Sequence, residues 1–196
     1  MNKKVYIIHG WDGSPNEPML QWLKISLEEK SYEVFVPEMP EPAVPKIESW
    51  VGKLKEEVLP DKETILVGHS VGCQAVLRYL ETLGEEIKIA GLVLIAPWME
   101  LNRQTIEEEG QEVIEIAKPW METPIDFKKV KSRVGKVIAI FSDNDPFVPL
   151  NQKGLFEKEL GAEIVVENGK GHFTVSDGID RLLSALEAVI EMGLRF

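Results

Sequence analysis

Short apolar runs alternate with amphipathic stretches from one end of the chain to the other. Val5 to Ile8, Glu33 to Val36, Thr64 to Val67, Leu92 to Ile95, Val137 to Phe141 and Ile164 to Val166 are brief and rich in β-branched residues. That is the pattern of strands buried in a parallel sheet. Between them, apolar positions recur every three or four residues over Pro18 to Glu29, Lys46 to Val58, Val71 to Leu83, Gln152 to Leu160 and Ile179 to Met192. This is the period of an amphipathic helix. The alternation predicts an α/β fold, a three-layer α/β/α sandwich whose mostly parallel sheet is joined by right-handed crossovers. Ligands of such sheets bind beyond the carboxyl ends of the strands. Any chemistry is therefore expected in the loops that follow each strand.

Two segments depart from the alternation. Pro37, Pro40, Pro42 and Pro45 make an extended connection that reads as a stiff loop rather than a domain linker. The stretch near 98–128 is long for a strand-to-strand connection. It holds one helical pattern (Ile106, Val113, Ile114, Ala117) and is expected to form a small cap over the sheet's active edge.

Bulk properties narrow this only a little. A chain of 196 residues, 44% of them apolar, fits one domain over 1–196. Asp and Glu outnumber Lys and Arg 33 to 22, a net charge of −11, which argues against nucleic acid or an anionic membrane as partner. The apolar run behind Lys3 and Lys4 is too short for a signal peptide or a membrane span, and Cys73 is the sole cysteine. A cytoplasmic location is the default expectation. No metal or other cofactor is expected, and the oligomeric state is left open.

The most informative stretch is Gly68-His69-Ser70-Val71-Gly72. It lies between a predicted strand and a predicted helix, where a G-x-S-x-G sequence forms a nucleophile elbow: a strained turn holds a serine hydroxyl at its apex, with glycines where backbones approach closely. A nucleophilic serine needs a base, and the base needs an orienting acid. Of the three histidines, His69 adjoins the serine and is expected to point away from it. His9 ends the first strand and is expected to shape the loop behind it. His172, in Gly169-Lys170-Gly171-His172-Phe173 after the last strand, is the candidate base.

The acid is sought in Ser142-Asp143-Asn144-Asp145-Pro146, after the fifth strand. Asp145 is the candidate, with Asp143 bracing the loop through backbone N–H groups. This loop lacks the third polar ligand and the glycine of a calcium loop. Oxyanion donors are expected from the backbone N–H of Val71, after the nucleophile, and of Trp11, in the loop after the first strand. That loop fits neither phosphate-binding glycine pattern. Trp11, Trp98, Met99 and Trp120 are candidate pocket walls, and Cys73 reads as a small buried residue.

With these residues assembled, the chain resembles the small serine hydrolases of the α/β-hydrolase superfamily, and within them the retinoblastoma-binding-protein-nine family with its YdeN-like bacterial members. The resemblance is carried by Gly68 to Gly72 continuing through Ala75 to Arg78-Tyr79, by Lys118-Pro119-Trp120, by Asp145 to Pro149, by Gly171-His172-Phe173, and by His9-Gly10. It implies a compact α/β-hydrolase with strand order 2-1-3-4-5-6 and a Ser70–His172–Asp145 triad. It implies a serine esterase acting on small carboxylic esters, thioesters or amides through an acyl-enzyme. The chain departs from the family in its first loop and around Glu107 to Gln111. Two rival functions remain open at this point: a binding or scaffolding protein on a hydrolase fold, and acyl transfer to an acceptor other than water.

Overall fold

The structure, a computed structural model, describes residues 3–194. Six strands form one sheet: β1 (Lys4–Ile8), β2 (Glu33–Phe35), β3 (Thr64–His69), β4 (Ile89–Ile95), β5 (Val134–Ser142) and β6 (Glu163–Glu167). Their order is β2-β1-β3-β4-β5-β6, and every pairing is parallel. The central strands β3 and β4 are buried at every residue, as strands covered on both faces must be. The edge strands β2 and β6 are short, only partly buried and begin with glutamate, features that discourage edge-to-edge pairing.

Helices cover both faces. On one, α1 (Pro18–Glu28) packs against α8 (Leu183–Gly193). Across the other run α2 (Ile47–Glu57), α3 (Val71–Thr82), α6 (Phe127–Arg133) and α7 (Lys153–Leu160). Helix α3 is buried from Val71 to Leu80 because β3, α2 and α6 all press on it. Its buried Arg78 donates to Gln74 Oε1 and to the carbonyls of Trp120 and Thr123, tying down the segment from 120 to 123. No helix among the described residues is long and apolar enough to cross a membrane.

Two expectations need correction. The 98–128 stretch carries more than one helix: α4 (Arg103–Glu109) and α5 (Gln111–Glu122) are followed by α6. Gly110, at φ +111°, divides α4 from α5, a conformation that side-chain-bearing residues rarely adopt. Helix α6 is not part of a cap, since it packs against α3, α7 and β5. The last helix begins at Leu183 rather than Ile179. A short 3-10 turn at Val175–Asp177 ends at Gly178, φ +76°, and Ile179 and Leu182 are buried as anchors of a loop. Their spacing mimicked helical periodicity because burial alone sets the apolar pattern.

Candidate active site

The elbow is built from backbone. Strand β3 ends at His69, α3 begins at Val71, and Ser70 between them sits at φ 52° and ψ −121°. A non-glycine residue in such a conformation costs of order 1–3 kcal/mol and persists only where its surroundings fix it. Here Ser70 N–H donates to Ile95 O at 2.9 Å and Cys73 N–H to Ser70 O at 2.9 Å. A Cβ on Gly68 would lie 2.7 Å from the Cys73 backbone, and one on Gly72 would lie 2.5 Å from His9 O. Cys73 donates its thiol to Gly68 O and Ile95 O, and burial pushes that thiol's pKa up, which leaves it unreactive.

The structure brings Ser70, His172 and Asp145 together. His172 Nδ1 lies 2.8 Å from Asp145 Oδ2, and a carboxylate can only accept, so Nδ1 carries the proton. Nε2, 2.9 Å from Ser70 Oγ, is then the acceptor of the serine hydroxyl. The other Asp145 oxygen accepts the N–H groups of Phe147 and Val148 at 2.9 and 3.0 Å, which fixes the carboxylate's orientation. The imidazole's carboxylate partner is thus Asp145, while Asp143 accepts Gly169 N–H at 2.8 Å.

The loop bearing His172 is held by side chains. Besides Asp143, Ser142 Oγ accepts Lys170 N–H at 3.0 Å, Asn144 Oδ1 accepts Gly171 N–H at 2.8 Å, and Asp177 Oδ2 accepts His172 N–H at 2.9 Å. Four consecutive amides are thus each taken by a side chain. Burial pushes the Asp177 carboxyl up, but hydrogen bonds from Thr174 and His172 outweigh it and hold the group below its ordinary value.

His69 also belongs to this assembly. The expectation that its ring points away from Ser70 overlooked the other side of the elbow, where Nε2 meets His172 O at 2.9 Å. A carbonyl only accepts, so Nε2 is protonated and Nδ1 is bare. Nδ1 is buried with no partner among the described residues. Burial, then the neighbouring His172 charge, pushes His69 down to about 4. His9, fully buried, donates from Nδ1 to Gly10 O and accepts Met39 N–H at Nε2, joining the end of β1 to the proline-rich connection. Burial lowers its pKa too.

A cavity of about 630 Å³ opens on Ser70 and His172. Its apolar wall includes Trp11, Met19, Trp98, Phe147 and Phe173, while Glu17 contributes a carboxylate whose pKa burial raises. Val71 N–H heads α3 and so has no intrahelical acceptor. In the loop after β1, Asp12 N–H donates to Pro42 O and Gly13 N–H to Gly10 O, while no acceptor among the described residues takes that of Trp11. Met99 and Trp120 are not at the cavity wall. Trp120 is fully buried, donates to Pro45 O at 2.9 Å and meets Trp50 edge-on. A large apolar side chain reads the same in sequence whether it faces a core or a ligand. Among the described residues, no group of three or more His, Cys, Asp or Glu is placed to hold a metal ion.

The chain is similar to known proteins over most of its length. The family model described as serine hydrolase matches residues 5–190. A protein named as a hydrolase, YdeN of Bacillus subtilis, is 29% identical over 93% of this chain and 92% of its own length. The crystal structure of the B. subtilis ydeN gene product superimposes with a TM-score of 0.89, at 24% identity, over 99% of this chain and 100% of that one. Serine hydrolase RBBP9 of Rattus norvegicus is 26% identical over 84% of this chain and 78% of its own. A carboxylesterase structure from Nitrososphaera gargenis shares the fold, with a TM-score of 0.73 at 13% identity over 99% of this chain and 92% of that one.

Proposed function

The chain belongs to the serine hydrolase family, and from that premise we propose that it cleaves small carboxylic esters through an acyl-enzyme on Ser70. One observation carries this reading: a single imidazole, that of His172, is hydrogen-bonded at one nitrogen to Asp145 and at the other to Ser70. Asp145 holds the tautomer that leaves Nε2 free to accept a proton. As Ser70 Oγ attacks the ester carbon, its proton passes to His172 Nε2 and the carbonyl π pair moves onto the carbonyl oxygen. The Val71 and Trp11 amides meet that oxygen, an interaction worth about 3 kcal/mol per donor. The imidazolium then protonates the leaving alkoxide, and a water activated by the same nitrogen releases the acid. The cavity's aromatic and methionine walls suit an apolar acyl group of small size.

The test is turnover of p-nitrophenyl acetate, with acid quench and intact mass. The expected result is release of p-nitrophenol and an acetyl group mapped to Ser70, both lost in Ser70→Ala. Equal turnover in Ser70→Ala, or none by folded protein across a panel of short esters, would overturn the reading.

A further inference from the structure

Of the five indole N–H groups in this protein, the four with an acceptor among the described residues divide into two kinds. Those of Trp11, Trp50 and Trp120 donate to the carbonyls of Ala43, Pro40 and Pro45 at 3.0, 2.8 and 2.9 Å, so all three brace the proline-rich connection. Trp98 differs. Its ring is 1% exposed, and its N–H points at Ser70 Oγ, 3.4 Å away, the one acceptor it has among the described residues. An indole N–H is a donor with no other role, and burying one without a good acceptor is costly.

The backbone goes out of its way to put the ring there. Ala96, fully buried just beyond β4, takes φ +49°, a conformation alanine rarely adopts. Beyond Trp98, the amides of Met99 and Glu100 both donate to Oε1 of buried Gln152, at 3.1 and 3.2 Å. The segment from 96 to 100 is thus strained at one end and pinned at the other. Strain of this kind persists where surrounding contacts over-determine it, and it gathers at active sites.

We propose that Trp98 is a catalytic residue, its indole N–H donating to Ser70 Oγ while that oxygen carries negative charge; this rests on the acyl-enzyme reading above. In the step concerned, the Oγ–H proton goes to His172 Nε2, the Oγ–C bond forms, and the carbonyl π pair moves onto the substrate oxygen. The indole keeps its proton throughout. Its bond to Oγ strengthens as the hydroxyl becomes alkoxide-like and weakens again in the acyl ester, whose bridging oxygen is a poor acceptor. The group therefore favours attack over the resting state, which is the condition for accelerating a step.

Trp98→Phe keeps an aromatic ring and removes the donor. Fluorophosphonate labelling of Ser70 is the readout, because it isolates attack by Oγ. The expected result is a fall in kinact of about 10-fold or more with KI unchanged. A change in KI alone, or a kinact within about twofold of wild type, would overturn the proposal and leave Trp98 a pocket wall. If Trp98→Phe fails to fold, replacing Trp98 with β-(3-benzothienyl)alanine, which substitutes sulfur for the N–H at nearly constant shape, answers the same question. In the wild-type protein, the Trp98 indole N–H resonance should shift on phosphonylation of Ser70 while those of Trp50 and Trp120 stay; an unmoved Trp98 resonance would also overturn it. Failure of wild type to label at Ser70 would count against the acyl-enzyme reading instead, so the two failures are distinguishable.

Discussion

The elbow at 68–72 and the loop at 169–172 carry the two ends of the Ser70–His172 hydrogen bond, yet they are held in opposite ways. The elbow is fixed by main chain: two glycines admit neighbouring backbones to distances no Cβ would allow, and Ser70 is strained between hydrogen bonds to Ile95 and Cys73. The His172 loop has no repeating structure. Besides one main-chain bond, from Phe173 N–H to Lys170 O, it is held by side chains that arrive from elsewhere, Asp143, Ser142, Asn144 and Asp177 on its amides and His69 on the His172 carbonyl. The first kind of support is all-or-none. The second is graded, and one contact at a time can be removed from it.

Breaking the elbow should therefore give the largest effect. Gly72→Ala puts a methyl group against His9 O and Ile8 O. The expected loss is about 3 kcal/mol of stability, read from the denaturant midpoint, with Ser70 labelling abolished.

The next effect is a pH dependence written into His69. Its pKa in the folded state is depressed to about 4, so the unfolded chain binds a proton there first as pH falls. Stability from this group is complete above the unfolded value and is lost as pH falls towards the folded one. The expected loss is roughly 2 kcal/mol between about pH 7.5 and pH 5. In His69→Gln that part of the slope should vanish. Parallel stability–pH curves for the two proteins would show that His69 is not buried in its neutral form.

Asn144→Ala sharpens the comparison on the other side. It frees the Gly171 amide and the Ser142 hydroxyl together. The expected cost is about 1 kcal/mol in stability with a fall in kcat of about 10-fold and little change in KM. Asp143→Ala should do least, because its bond to Gly169 N–H is at the surface. A change within about 0.5 kcal/mol and about twofold in rate is expected. Should Asp143→Ala match Asn144→Ala, the gradation assigned to the loop would fail.

The same contrast explains what could be read in the sequence. The parallel sheet and the elbow follow from local rules, hydrophobic period and glycine spacing, so strands and helices fall close to where the pattern puts them. The position of Ser70 in a strand–turn–helix follows as well. The supports of the His172 loop do not, since Asp177, Asn144 and His69 look like ordinary polar residues until the chain is folded. The rule that side chains flanking the elbow serine point away from it says nothing of a partner 103 residues away, which is what His69 has. Of the candidate pocket walls, Trp11 and Trp98 line the cavity while Met99 and Trp120 do not, for a related reason: Trp98 and Trp120 sit in the same Pro-Trp-Met-Glu context, yet one faces the cavity and the other the core. Only packing separates them.

The central claim is that Ser70 is a nucleophile activated by His172. It is tested most directly by treating the protein with a fluorophosphonate, followed by intact mass and peptide mapping, with Ser70→Ala and His172→Ala alongside. One adduct on Ser70 is expected, absent in the first variant and formed far more slowly in the second. No adduct on folded wild-type protein, or one formed equally fast without His172, would contradict it.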